Sequence, residues 1–302
     1  MNSMAMADSL LMMKNESLKF SYTLLHDSNV LKMLIPFTRE KINKSSQSEI
    51  MEMINREAHK YRYTSNSNLQ KMLLGELEAL YKIPRSNLYT KQDVADQCDR
   101  VINAMYYDLK KNNKKFAAFV TDDNTTKLEQ IMEFQMVKLV DSINEEKATD
   151  EQLSQIGDLT DEFVKGLPKH QQNQIAEKLG INKFTNNTMR QLIATNGITV
   201  VFSAIVQVTG FAFYTTLTSI VAGIFGLIGL TLPFAVYATL TSTVAVIANP
   251  LFFIPALLIG GNQVLKWQDN KIKKTIAPIV LMQIMLEANS VGEPDWEAFL
   301  DG

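Results

Sequence analysis

Few residues in this sequence have both the type and the spacing that catalysis requires. The chain has one cysteine, Cys98, and three histidines, His26, His59 and His170. His59 lacks the second histidine, four residues away, that a zinc-protease helix carries. Cys98 lies on a predicted apolar helix face, where a thiol usually packs as a small hydrophobic side chain. We therefore expect a protein that is not an enzyme, with no catalytic residue, no metal site and no cofactor.

Three glycines form the only pattern that resembles a phosphate loop. Gly223, Gly226 and Gly229 recur at three-residue spacing. They lack the lysine and the strand–turn–helix context with which such loops hold phosphate. We therefore interpret them as helix-packing residues.

A small basic cluster follows one predicted helix and consists of Lys110, Lys111, Lys114 and Lys115. Its simplest interpretation is a solvated helix end whose cations complement the helix dipole. Contact with anionic lipid headgroups is the alternative. The formal net charge of −2 and the absence of interleaved aromatic side chains give no reason to expect a nucleic-acid partner.

The distribution of charge divides the chain sharply. Charged residues make up 21% of the sequence, yet none occurs in the 75 residues from Gln191 to Leu265, which we call the charge-free run. A helix of a soluble domain normally keeps one charged face in water. A bilayer interior excludes charge, at about 2.5–3.5 kcal/mol per residue. The run therefore predicts contact with a membrane.

The charge-free run is long enough for at least two crossings. Ile198 to Ile220 would span about 34 Å as one helix, against about 30 Å for the bilayer core. Leu232 to Ile259 could form a second crossing. Three prolines are expected to kink or break the helices of this hairpin, and a three-helix arrangement stays open; they are Pro233, Pro250 and Pro255.

Basic residues stand on both sides of the charge-free run. The positive-inside rule places both flanks in the cytoplasm and favours an even number of crossings, most simply a hairpin. The flanking basic residues are Lys183, Arg190, Lys266, Lys271, Lys273 and Lys274.

The predicted hairpin has an apolar tip and many small or hydroxyl side chains. Such residues allow close helix contact, and they either pack helices or line a polar seam in an oligomer. The expected helix-packing residues are Ser219, Gly223, Gly226 and Gly229. The expected membrane-inserting residues are Ile198, Val206, Phe211, Phe213, Tyr214, Phe225, Leu227, Phe234, Val246, Phe252 and Phe253.

Apolar residues in the first 190 positions recur at helical spacing. One stripe runs from Val94 through Cys98 to Leu109, and no alternating strand pattern appears. The pattern predicts an all-α fold: a charged multi-helix bundle of six or seven helices at 1–190, a charge-free apolar helical hairpin at 191–265, and a basic-flanked C-terminal helix with an acidic tail at 266–302. The N-terminus lacks the basic segment of a signal peptide, so we expect this bundle in the cytoplasm.

Five short motifs follow one another between residues 190 and 290: Gly-Phe-Ala-Phe-Tyr at 210–214, Leu-Thr-Leu-Pro-Phe-Ala at 230–235, Leu-Thr at 240–241, Asn-Pro-Leu at 249–251 and Ile-Ala-Pro-Ile-Val at 276–280. Together they resemble the YaaW-like family of uncharacterised bacterial proteins. Where that family tends to show Pro-Ala-Tyr-Arg, this chain has Trp-Gln-Asp-Asn at 267–270. The resemblance implies a bacterial source and a membrane-linked helical fold, but no function.

These observations predict a protein that acts on a membrane. The leading hypothesis is a homo-oligomer that perturbs or permeabilises the bacterial inner membrane, as α-helical pore-formers do. The alternative is a non-enzymatic, membrane-anchored scaffold or chaperone-like module with a protein partner on the 1–190 bundle. The expected location is the inner membrane with the N-terminal domain in the cytoplasm, and a soluble form before insertion stays open.

Overall fold

The computed structural model describes residues 3–27, 52–120, 125–145, 150–182, 184, 187–210, 213, 269–287 and 292–301. In these ranges the regular structure is helical and there is no strand, which confirms the all-α prediction. The helices are α1 (Ser3–Met12), α2 (Asn15–His26), α3 (Asn66–Tyr81), α4 (Lys91–Asn112), α5 (Lys114–Phe119), α6 (Lys127–Glu145), α7 (Asp150–Gly166), α8 (Lys169–Lys178), α9 (Thr188–Asn196), α10 (Ile198–Thr209), α11 (Asp269–Leu286) and α12 (Trp296–Asp301). Residues 52–58 are also helical and continue into a 3₁₀ turn at His59–Tyr61.

Nine of these helices begin before residue 190, more than the six or seven expected. The difference arises because very short connections separate neighbouring helices. Asn113 alone stands between α4 and α5. Apolar periodicity continues across such a break, so the sequence pattern does not reveal it.

Local signals fix several helix ends. The Ser65 hydroxyl accepts a hydrogen bond from the Asn68 N–H at 3.3 Å, and Thr90 forms a capping box with Asp93. At its other end α3 stops at Lys82, whose φ of 56° is left-handed, two residues before Pro84.

The chain divides into two compact units. The first unit comprises Met1–Gln135 and Ile247–Gly302, and the second comprises Met136–Val246. The predicted domain boundary at Arg190 falls inside α9 of the second unit.

Helix α11 lies in the core of the first unit, where it packs against α1, α2 and α3. From Ile276 to Leu286 every side chain is buried, on all faces of the helix. A helix that is apolar all round needs neighbours all round, and burial in protein supplies them here. The buried Gln70 amide of α3 donates to the carbonyl oxygens of Leu11 and Met13, both at 2.9 Å, and so satisfies the end of α1.

The second unit is built on the pair α7 and α9, with α10 packed against α8 and α9. The two helices of the pair approach closely at Gly157. A Cβ atom added to this glycine would lie 2.6 Å from the Cα of Arg190. Only glycine allows this separation of the two backbones.

The prediction of one continuous helix from Ile198 to Ile220 is wrong. Helix α10 ends at Thr209, and Gly210 has a φ of 58° and a ψ of −136°, which are not helical. Twelve residues give about 18 Å, too short for a bilayer core of about 30 Å. Among the residues that the structure describes, no helix is both long enough and apolar enough to cross a membrane.

Candidate functional site at the two ends of the charge-free run

Two glycines enclose the first helix of the charge-free run. Gly197 (φ 84°, ψ 154°) precedes α10 and Gly210 follows it, and neither conformation suits a residue with a side chain. Among the described residues, apart from its chain neighbours, no atom lies within 4 Å of the Cβ position at either glycine. Backbone geometry, and not lack of space, therefore explains the glycine at each end of α10.

The apolar face of α10 contacts protein. Ile198 is 1% exposed, and the Phe202 ring packs against the Phe213 ring at a centroid distance of 5.2 Å. Phe213 also contacts Phe163 of α7 at 5.1 Å and is fully buried. Two of the predicted membrane-inserting residues, Ile198 and Phe213, thus lie in the core of the second unit, while Val206 is half-buried.

A buried carboxylate fixes the helix that precedes α10. Asp161 of α7 accepts a hydrogen bond from the backbone N–H of Met189, at 3.3 Å, in the first turn of α9. Burial raises the pKa of Asp161, and the hydrogen bonds from the α9 backbone oppose that rise. Arg190, a predicted flanking cation, is exposed on α9.

Two of the flanking lysines after the charge-free run are held by carboxylates of the first unit. Lys273 Nζ lies 3.4 Å from Glu76 Oε2, and Lys274 pairs with Asp108. Lys271 is exposed. Ion pairs with α3 and α4 therefore fasten the start of α11 to the bundle.

Glu76 is the centre of a cluster that also contains His26 and Lys273 and that we call the His26 cluster. His26 Nδ1 lies 2.8 Å from Glu76 Oε1. The Tyr22 ring stacks on His26 at 4.9 Å and meets Tyr61 edge-on at 4.9 Å, and burial raises the pKa of Tyr22. In the described ranges, no hydroxyl or thiol nucleophile is bonded to His26, so the cluster connects α2, α3 and α11 without a group to activate.

The sequence did not reveal the His26 cluster. Its members are separated by 50 positions between His26 and Glu76 and by 197 positions between Glu76 and Lys273. No local spacing pattern joins residues so far apart. The contact depends on the packing of α11 in the bundle, which the charge pattern of the sequence does not show.

A second buried carboxyl group lies beside the single cysteine. Glu78 is 5% exposed and accepts a hydrogen bond from Gln97 Nε2 at 2.9 Å. Burial raises the pKa of Glu78, and Gln97 and Arg85 partly offset this effect. Cys98 is fully buried and its pKa is raised by burial, so the thiol is protonated and inert at neutral pH.

The raised pKa of Glu78 predicts a specific pH dependence of stability. Because the pKa is higher in the folded than in the unfolded state, protonation stabilises the fold below the unfolded value of about 4.5, and this gain is lost as pH rises through the folded pKa. We expect Glu78→Gln to lack this loss. Urea titrations should show that the free energy of unfolding of Glu78→Gln, minus that of wild type, is larger at pH 7 than at pH 4.

Asp93 provides the opposite case. Hydrogen bonds from the Thr90 side chain and backbone lower its pKa, so its carboxylate stabilises the fold above the unfolded pKa and this contribution is lost as pH falls. The free energy of unfolding of Asp93→Asn should therefore fall relative to that of wild type as pH rises through the unfolded value of about 3.8, and the difference should level off above it. A Glu78→Gln difference that does not vary with pH would contradict the account of Glu78.

Most of the predicted membrane segment lies outside the described residues. The predictions for these residues stay expectations. The residues concerned are Lys183, Phe211, Tyr214, Ser219, Gly223, Phe225, Gly226, Leu227, Gly229, Pro233, Phe234, Val246, Pro250, Phe252, Phe253, Pro255 and Lys266.

In the part of the chain that the structure describes, no three His, Cys, Asp or Glu side chains are grouped so as to hold a metal ion. The contacts described above hold α10 within the second unit and, separately, the start of α11 within the first, and the described residues show no catalytic constellation. The chain matches no protein-family model, no curated protein and no solved structure.

Proposed function

We propose that this protein inserts its charge-free run into the bacterial inner membrane, oligomerises there and makes the bilayer permeable. One observation carries the proposal: 75 consecutive residues, Gln191 to Leu265, without a charged side chain. The cost of placing charge in a bilayer explains such a run directly. The charged helices before it would stay on the cytoplasmic side.

The surroundings of α10 are consistent with a segment that changes its environment. Ile198, Val201 and Ile205 are buried among apolar side chains of the second unit. Lipid tails are as apolar as these neighbours, so transfer of the helix to a bilayer exchanges one apolar environment for another. Gly197 and Gly210 are the points where the backbone can rotate to release α10.

Dye release from liposomes tests this proposal. Each lysine placed in a bilayer core costs about 2.5–3.5 kcal/mol. We expect the full chain to release dye and the double variant Gly226→Lys/Gly229→Lys to release none, with unchanged unfolding of the first unit.

The matched control adds the same two charges to exposed helix positions, as Asn68→Lys/Gln174→Lys. This control should release dye as the unmodified chain does. Equal release by the Gly226→Lys/Gly229→Lys variant would contradict the proposal. Stable membrane binding without any release would favour the anchored scaffold instead.

A further inference from the structure

The connection between α4 and α5 is a rigid corner of one residue. The Asn113 N–H donates to the Leu109 carbonyl at 2.8 Å and ends α4. Its side-chain Oδ1 accepts from the Phe116 N–H at 3.1 Å and begins α5. Asn113 therefore serves both helices and holds a fixed angle between them.

Aromatic packing anchors this corner to the first unit. Phe116 is fully buried, with ring centroids 5.5 Å from Tyr106 and 5.1 Å from Phe134. Edge-to-face contacts of this kind stabilise their partners beyond simple burial. The packing of Phe116 thus fixes the position of α5 relative to α4 at the surface of the first unit.

Four exposed lysines surround the corner, two at the end of α4 and two at the start of α5; we call them the basic corner, and they are Lys110, Lys111, Lys114 and Lys115. Among the described residues, no carboxylate lies within 4 Å of any of their amines. The nearest acidic residue on α4, Asp108, is already paired with Lys274. The positive charge of the corner is therefore not neutralised by these neighbours.

Helix electrostatics explains only half of the basic corner. Lys110 and Lys111 lie in the last turn of α4, where cations complement the helix dipole. Lys114 and Lys115 lie in the first turn of α5, where the dipole repels cations. The second pair weakens the helix that carries it, so its charge calls for another explanation.

We propose that the basic corner binds the anionic headgroups of a lipid bilayer. The exposed Tyr107 beside it, 58% accessible, supplies an amphipathic ring of the kind that settles at membrane interfaces. Lipid is favoured over nucleic acid because the net charge of the chain is −2 and one exposed ring makes no stacking platform. The choice of lipid rests on the proposed membrane function.

Co-sedimentation of the full chain with vesicles tests the basic corner. The probes are phosphatidylcholine vesicles with and without phosphatidylglycerol. Near an anionic surface each lysine contributes about fivefold in binding, or about 1 kcal/mol. We expect Lys→Gln at all four positions of the corner to weaken binding to the anionic vesicles by at least tenfold and to remove most of its salt dependence.

A second quadruple variant controls for net charge. It carries Lys→Gln at four exposed lysines outside the corner, which are Lys14, Lys60, Lys165 and Lys169. Binding of this control should change by less than threefold. Equal losses in the two variants, or no loss in the corner variant, would overturn the proposal.

Two further arms separate this proposal from others. The Gly226→Lys/Gly229→Lys variant should still bind anionic vesicles through the corner while it fails to release dye, so failure of one proposal does not imply failure of the other. Inorganic phosphate at constant ionic strength should not compete with the vesicles. Competition by phosphate, or tighter binding to duplex RNA than to the vesicles, would overturn the assignment to a lipid surface.

Discussion

Replacing Val280 by aspartate is expected to unfold the first unit. Val280 is fully buried at the middle of α11, and the side chains around it on that helix are buried as well. An isolated carboxylate in an apolar core must either ionise unpaired or take up a proton, and both are costly. We expect a loss of at least about 4 kcal/mol, the range that indicates disruption of a core.

Tryptophan fluorescence can report on this unit through Trp296. The indole N–H of Trp296 donates to Asp8 of α1 at 3.1 Å, within the first unit. Thr275→Asp is the matched control, because Thr275 is partly exposed on the same helix, and it should change the free energy of unfolding by less than about 0.5 kcal/mol. A cooperative, wild-type fluorescence transition in Val280→Asp would contradict the placement of α11 in the core.

Gly157→Ala is expected to destabilise the second unit by about 1–3 kcal/mol. The new methyl group would lie 2.6 Å from the Arg190 Cα and 2.7 Å from its Cβ. The atoms in the way belong to the backbone and to Cβ, so a side-chain rotation cannot relieve the overlap. Helices α7 and α9 must move apart instead.

Gly166→Ala, on the same helix, is the control. No atom of the described residues other than its neighbours lies within 4 Å of its Cβ position, and alanine is the better helix former by about 1 kcal/mol, so this variant should keep or gain stability. Circular dichroism follows the helices of both units, whereas Trp296 reports on the first. A Gly157→Ala transition that matches wild type would show that α7 and α9 do not approach as closely as described.

Helix type and core positions in the first unit could be predicted from the sequence. The stripe through Val94, Cys98 and Leu109 is buried along its length, because a helix shows its packing face in its own spacing. The packing of α11 could not be predicted in the same way. Its first turns carry Lys271, Lys273 and Lys274, which the sequence pattern assigns to a membrane flank, and the ion pairs that Lys273 and Lys274 form with α3 and α4 join residues far apart in the sequence.

The ends of the charge-free run show a second limit of sequence reasoning. An uninterrupted apolar stretch predicts a helix of bilayer length but does not show where that helix stops. Gly210 is a modest helix breaker in an exposed helix, and only its φ of 58° reveals that α10 ends there. The absence of charge indicates which environment a segment tolerates. The backbone conformation determines how long the helix within that segment is.

The central claim is that the charge-free run enters a membrane, and fractionation of cells that express the full chain tests it most directly. Membranes are collected, washed with high salt and then with carbonate, and the protein is followed in each fraction. The account predicts that the chain stays in the carbonate-washed membranes and that Gly226→Lys/Gly229→Lys does not. Release of the membrane-bound chain by the carbonate wash would contradict it, because the 75 uncharged residues would then be covered by protein and not by lipid.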